Sequence, residues 1–201
     1  MNEKEFITEF VKELDLHMEL CEIMHHQSLL YALSIDDDGE IRKGVDPGGE
    51  PVRGGGKGFE QDILIRDSRI VGREVVPRVV AEVKFKGVTA QGPGVTTHDV
   101  IVYSEKARRI RTVYPYLRYG LILGGFQRIP GRVLRLGQGF DFIFAISYPP
   151  FVTQQIDATR MALSEEVQAS RDLARIAYGR QDITSFRRRV QHELSRKKRH
   201  R

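Results

Sequence analysis

A chain of 201 residues with 40% apolar side chains is long enough to bury the core of one folded domain, which excludes an intrinsically disordered protein. No apolar run approaches the ~20 residues of a membrane-spanning helix, and the N-terminus has no basic-then-apolar secretory pattern. Cys21 is the single cysteine, which excludes an internal disulfide and a cysteine-based zinc site and fits a cytoplasmic protein.

The formal net charge of +5 is local. Eight of the 32 basic residues and one of the 27 acidic residues lie in 186–201, so the remainder is net negative by two. The organisation this predicts is one domain over 1–185 and a basic tail over 186–201. Arg187, Arg188 and Arg189 open the tail. Such a run suits contact with nucleic-acid phosphates or plain solvation.

In chain order, Ile7, Phe10, Val11, Leu14, Met18, Cys21 and His25 recur at three- and four-residue steps. The spacing predicts a helix over about 3–26, with Glu22 on the border of its apolar stripe. Residues 29–35 and 40–42 around Asp36-Asp37-Asp38-Gly39 read as a hairpin, with 29–33 also open to continuing the helix. The acidic triplet is a turn and not a calcium loop, because Ile41 stands where that loop needs its glycine. Residues 45–58 form a glycine-rich loop. It is no phosphate loop, since Gly58 follows Lys57 in place of Ser or Thr.

Strands are predicted over 59–66 and about 75–86, both with two-residue alternation. In the second, Val79, Ala81, Val83 and Phe85 share one face, while Glu82, Lys84 and Lys86 share the other. Thr96 and Asp99 have the spacing of a capping box for a helix ending near Val113, before Pro115. That helix carries Lys106, Arg108, Arg109 and Arg111, candidate phosphate contacts. Residues 119–123 are a short apolar strand, 126–139 a connection with glycine and arginine, and 140–147 another strand. Thr153 starts a long helix to about 178. Its narrow stripe of Ile156, Leu163, Val167, Ser170 and Ala174 suits one partner helix, internal or from a second subunit. The fold class expected is α/β: a central mixed sheet of four or five strands flanked by helices.

Asp62 on one strand and Glu82 on the next are close enough in sequence for an antiparallel return that brings the carboxylates together. Two such carboxylates bind a hard divalent cation through oxygen. Lys84, two residues beyond Glu82, points to the same side. Glu60 shares the Asp62 face as a lesser candidate ligand, and His98 is a lesser candidate base.

Asp62, then Glu82-Val83-Lys84, then a helix and a further strand resemble the PD-(D/E)XK nuclease superfamily, the fold of many type II restriction endonucleases. The resemblance covers about residues 55–125, with Gln61 in place of the family's loosely kept proline. It implies Asp62, Glu82 and Lys84 as catalytic residues. It further implies Asp62, Glu82 and the Val83 carbonyl as ligands of Mg²⁺, with Mn²⁺ as a substitute, and Glu22 as the helix carboxylate that many members add. The function expected is a Mg²⁺-dependent endonuclease of double-stranded DNA, dimeric because a duplex needs two cuts. The alternatives are a structure-specific repair or recombination nuclease and a non-catalytic DNA-binding module.

Overall fold

The computed structural model describes residues 1–14, 21–29, 33–35, 41–43, 59–67, 76–87 and 94–178. In chain order the elements are α1 (Glu3–Leu14), β1 (Cys21–Leu29), β2 (Leu33–Ile35), β3 (Ile41–Lys43), β4 (Phe59–Asp67), β5 (Pro77–Phe85), α2 (Thr97–Val113), β6 (Arg118–Gly124), α3 (Gly131–Leu136), β7 (Phe142–Ile146) and α4 (Thr153–Tyr178). Five strands make a mixed sheet in the order β1-β4-β5-β6-β7. The pairs β1–β4 and β4–β5 are antiparallel, and β5–β6 and β6–β7 are parallel. Parallel neighbours need a crossover, and α2 and α3 lie in the two crossovers. No helix among the described residues is long and apolar enough to cross a membrane.

The alternation along β5 separates two environments. Val79, Ala81 and Val83 join Phe6, Phe10 and Leu14 of α1, Ile63 and Ile65 of β4, and Leu163 and Val167 of α4. Each such large side chain taken out of water contributes about 1.5–3 kcal/mol before the entropy of ordering it is counted. On the opposite face Val80 packs with Ala107 and Ile110 of α2. Glu82 and Lys84 follow Val80 along that same face.

The start of α2 follows from its sequence. The Thr96 hydroxyl accepts the Asp99 amide at 3.1 Å, and the Asp99 carboxylate accepts the Thr96 amide at 2.8 Å. This reciprocal cap satisfies two of the four N–H groups that a helix start leaves unpaired.

Two expectations are corrected and one open choice is resolved. The helix expected over 3–26 ends at Leu14, and 21–29 is the edge strand β1. Cys21 and Ile23 pack on the core, and Glu22 sits opposite Arg66. Steps of four (Cys21, His25) and of two (Cys21, Ile23) both fit so short a stretch, and pairing with β4 decides between them. The connection 126–139 contains α3. The narrow stripe of α4, open in sequence to an internal or a second-subunit partner, is buried within the chain against the sheet and α1. The hairpin reading corresponds to β2 and β3, with Ile35 opposite Ile41. The acidic turn at 36–38, the loop 45–58 and the tail with Arg187, Arg188 and Arg189 lie outside the described residues.

Gly120 of β6 shows how closely the parallel strands are packed. A Cβ there would stand 2.1 Å from the Phe142 ring of β7. Gly120→Ala is expected to destabilise the fold by about 1–3 kcal/mol. The check is a lower urea midpoint with an unchanged slope.

Candidate active site

The β4–β5 register pairs Ile63 with Ala81 and Leu64 with Val80, so Asp62 comes across from Glu82. The two carboxylates are close enough for the Glu82 charge to act on Asp62. The Asp62 Oδ2 accepts the Val83 amide at 2.8 Å, taking the place of a backbone partner. The N–H and C=O of one strand residue point to the same side, so the Val83 carbonyl borders Asp62 too. Burial, and next the Glu82 carboxylate, push the Asp62 pKa from 3.8 up to about 6, against the lowering by the Val83 N–H.

Glu82 is 2% exposed and firmly held. Its Oε1 accepts from the Tyr119 hydroxyl at 2.6 Å and from the Lys106 ammonium at 3.0 Å. Burial and then Glu82 raise the Tyr119 phenol well above its ordinary value, so it remains a donor. A buried carboxylate needs this kind of compensation, because an unpaired charge in the interior is costly.

Lys84 has a different partner. Its Nζ lies 3.7 Å from Glu3 at the start of α1 and 5.5 Å from the centre of the Tyr103 ring. The Lys106 Nζ is 5.1 Å from the same ring. Partial burial works to lower the Lys84 pKa. The hydrogen bond with Tyr103 and the charges of Glu3 and Asp99 outweigh it and raise the pKa above its ordinary value. Lys84 is therefore an ammonium throughout the neutral range.

The structure thus brings Asp62, Glu82 and Val83 together, with Lys84 on the same face. It does not bring Glu22 there. Glu22 is exposed on β1 and pairs with Arg66 at 2.8 Å. Arg66 is four residues along β4 from Asp62, or about 13 Å by strand rise. The carboxylate that α1 supplies near Lys84 is Glu3. Glu60 and His98 are exposed. The cations of α2 already have partners: Lys106 with Glu82, Arg108 and Arg109 with Glu105, and Arg111 with Asp141. Tyr103 and Tyr119 are not among the site residues expected from sequence, and Lys106 is expected there only as a phosphate contact. A signal was present: Lys106 borders the Val100, Ala107, Ile110 and Tyr114 stripe, all buried, and Tyr119 alternates in phase with Leu121 and Leu123.

Two carboxylates, one retaining its proton near pH 6 beside the other, are a donor set that fits a hard divalent cation. Magnesium commonly takes one or two carboxylates and fills its remaining positions with water and phosphate oxygens. No cluster of three or more His, Cys, Asp or Glu side chains occurs among the described residues. The chain matches no protein-family model, no curated protein and no solved structure.

The raised Asp62 pKa has a consequence for stability. The folded pKa, about 6, exceeds the ordinary 3.8, so ionising Asp62 costs stability as pH rises through that window. Asp62→Asn retains an acceptor for the Val83 N–H without the charge. It is expected to stabilise the metal-free protein at pH 8 by up to about 3 kcal/mol. The gain should shrink as pH falls through 6 and vanish below ~4, where the wild-type carboxyl is neutral in both states. Thermal melts across this pH range in EDTA provide the check.

Proposed function

We propose that this chain is a Mg²⁺-dependent endonuclease that hydrolyses phosphodiester bonds in double-stranded DNA, a member of the PD-(D/E)XK superfamily of restriction type. The observation that carries the proposal is the pairing of Asp62 with Glu82 on adjacent strands, with Lys84 two residues on along the same face. Mg²⁺, or Mn²⁺ in its place, would supply polarisation of the phosphate and a bound water of lowered pKa. Asp62, Glu82 and the Val83 carbonyl are the groups that would hold it. Asp62 must lose its proton to do so, and metal affinity is expected to fall below about pH 6. Lys84, as a permanent cation, neutralises charge growing on the phosphate and orients the attacking water; its raised pKa argues against proton abstraction.

Cutting both strands calls for two sites, so the active form is proposed to be a homodimer. The test is incubation of plasmid DNA with Mg²⁺ and with EDTA. Linear DNA with defined ends in Mg²⁺ alone supports a restriction type. Cleavage confined to branched or flapped DNA points to a repair or recombination nuclease. Light scattering with DNA present reads the assembly.

One observation favours a second proposal. Glu82 already accepts from both Lys106 and Tyr119 on its Oε1, as in a network whose task is to hold α2 on the sheet. A protein that binds duplex DNA and never cuts it, with any divalent ion, would be the non-catalytic binding module.

A further inference from the structure

An open cleft of about 740 Å³ lies at the C-terminal ends of β5 and β6. Its walls are Lys86 and the segment from Gly125 to Arg132. Three cations line it, Lys86, Arg128 and Arg132, and no carboxylate does. The basic residues of α2 and α4 are ion-paired, including Lys106, Arg111, Arg160 and Arg171. The three in the cleft have no carboxylate partner among the described residues. Like charges gathered without a counter-ion repel one another, an arrangement that a bound polyanion relieves.

The position of Lys86 is built into the backbone. Gly125 has φ of +77°, and a Cβ there would lie 2.2 Å from the Lys86 carbonyl. Glycine alone permits that approach. The Lys86 amide also donates to the Gly124 carbonyl at 2.8 Å. The end of β5 is thereby clamped to the segment that carries Arg128 and Arg132.

The location identifies the anion. Glu82, Lys84 and Lys86 follow one another at two-residue steps, so Lys86 stands about 13 Å beyond Glu82 by strand rise. A free phosphate at Glu82 cannot also reach Lys86, whereas a polymer of phosphates can. We propose that Lys86, Arg128 and Arg132 form a phosphate-binding cleft that holds the DNA backbone leading away from Asp62 and Glu82, and so sets where the duplex lies. The proposal rests on the nuclease function for the identity of the polymer.

The test uses the full chain and a short labelled DNA duplex in Ca²⁺, with binding followed by fluorescence anisotropy across a salt series. The variant is Lys86→Ala/Arg128→Ala/Arg132→Ala. The control is Lys4→Ala/Lys12→Ala, which removes exposed cations from α1. The triple variant is expected to bind at least tenfold more weakly, and its log–log salt slope should drop by about 2–3, at ~0.9 per lost phosphate contact. The control should match wild type. Wild-type affinity and slope in the triple variant would overturn the cleft, as would a wild-type protein that does not bind the duplex. If the triple variant melts well below wild type, Arg128→Glu, at an exposed side chain, carries the comparison with the same expected direction. Failure of the nuclease function has another signature: no Mg²⁺-dependent cleavage by the wild type, with the triple variant still losing binding. The cleft then stands as a site on a binding module.

Discussion

Lys84→Ala is expected to reduce DNA cleavage by at least ~10²–10³-fold, the usual cost of removing a preorganised group that stabilises transition-state charge. Duplex binding should change less than about twofold, because one cation among many supplies a small share of the phosphate attraction. An interaction made only in the transition state is lost from the rate and not from ground-state affinity. The fold should survive, since the pair with Glu3 is long at 3.7 Å and partly exposed, and such pairs contribute little. Glu3→Gln separates the two contacts of Lys84. It removes the carboxylate but leaves Tyr103, so it should retain most of the cleavage. Single-turnover rates with Mg²⁺ and anisotropy with Ca²⁺ measure the two effects. A Lys84→Ala protein that cuts at the wild-type rate would make β5 a structural strand and hand the chain to the binding-module alternative.

The second large effect is expected at Lys106, and it is one of stability. Lys106→Met preserves much of the stem and removes the charge on which Glu82 relies at 3.0 Å. Glu82, 2% exposed, keeps the Tyr119 hydroxyl and loses its ion pair with Lys106. Removing one member of a buried ion pair costs about 3–5 kcal/mol, and the surviving Tyr119 bond places this case at the low end.

Magnesium turns that loss into a test of the site. If Asp62 and Glu82 are metal ligands, a divalent cation replaces the missing ammonium. Saturating Mg²⁺ then restores stability by about 2.7 kcal/mol at a hundredfold excess over its Kd. Urea denaturation of wild type and Lys106→Met, with Mg²⁺ and with EDTA, reads the difference. Stability indifferent to Mg²⁺ in both proteins would remove Asp62 and Glu82 as metal ligands, whatever the role of the rest of the face.

Much of the fold and part of the site were legible along the chain, in places where local chemistry and tertiary packing agree. The alternation over 79–86 is a strand with an apolar face in the core and Glu82 and Lys84 opposite, because a period of two survives whatever the strand packs against. The cap of α2 was readable from Thr96 and Asp99, whose bonds span three residues. Asp62 across from Glu82 followed from two neighbouring strands and the separation between them.

The tertiary structure decided the remainder. Cys21–Leu29 is a strand because β4 offers it an edge. The same residues satisfy a helical spacing, and Glu22, read as a helix carboxylate, is instead paired with Arg66. The narrow stripe of α4 is filled from within the chain by α1 and the sheet, a choice between inside and outside that amphipathicity cannot express. The partners of the two lysines are the clearest case. By sequence distance Lys84 belongs with Glu82, two residues away, and Lys106 belongs to a basic helix. Packing α2 over β5 brings Lys106 onto Glu82, and α1 presents Glu3 to Lys84. Charge type and face are local properties, carried by the residue and its phase in the element. Which opposite charge it meets depends on long-range packing, and only the assembled layers determine it.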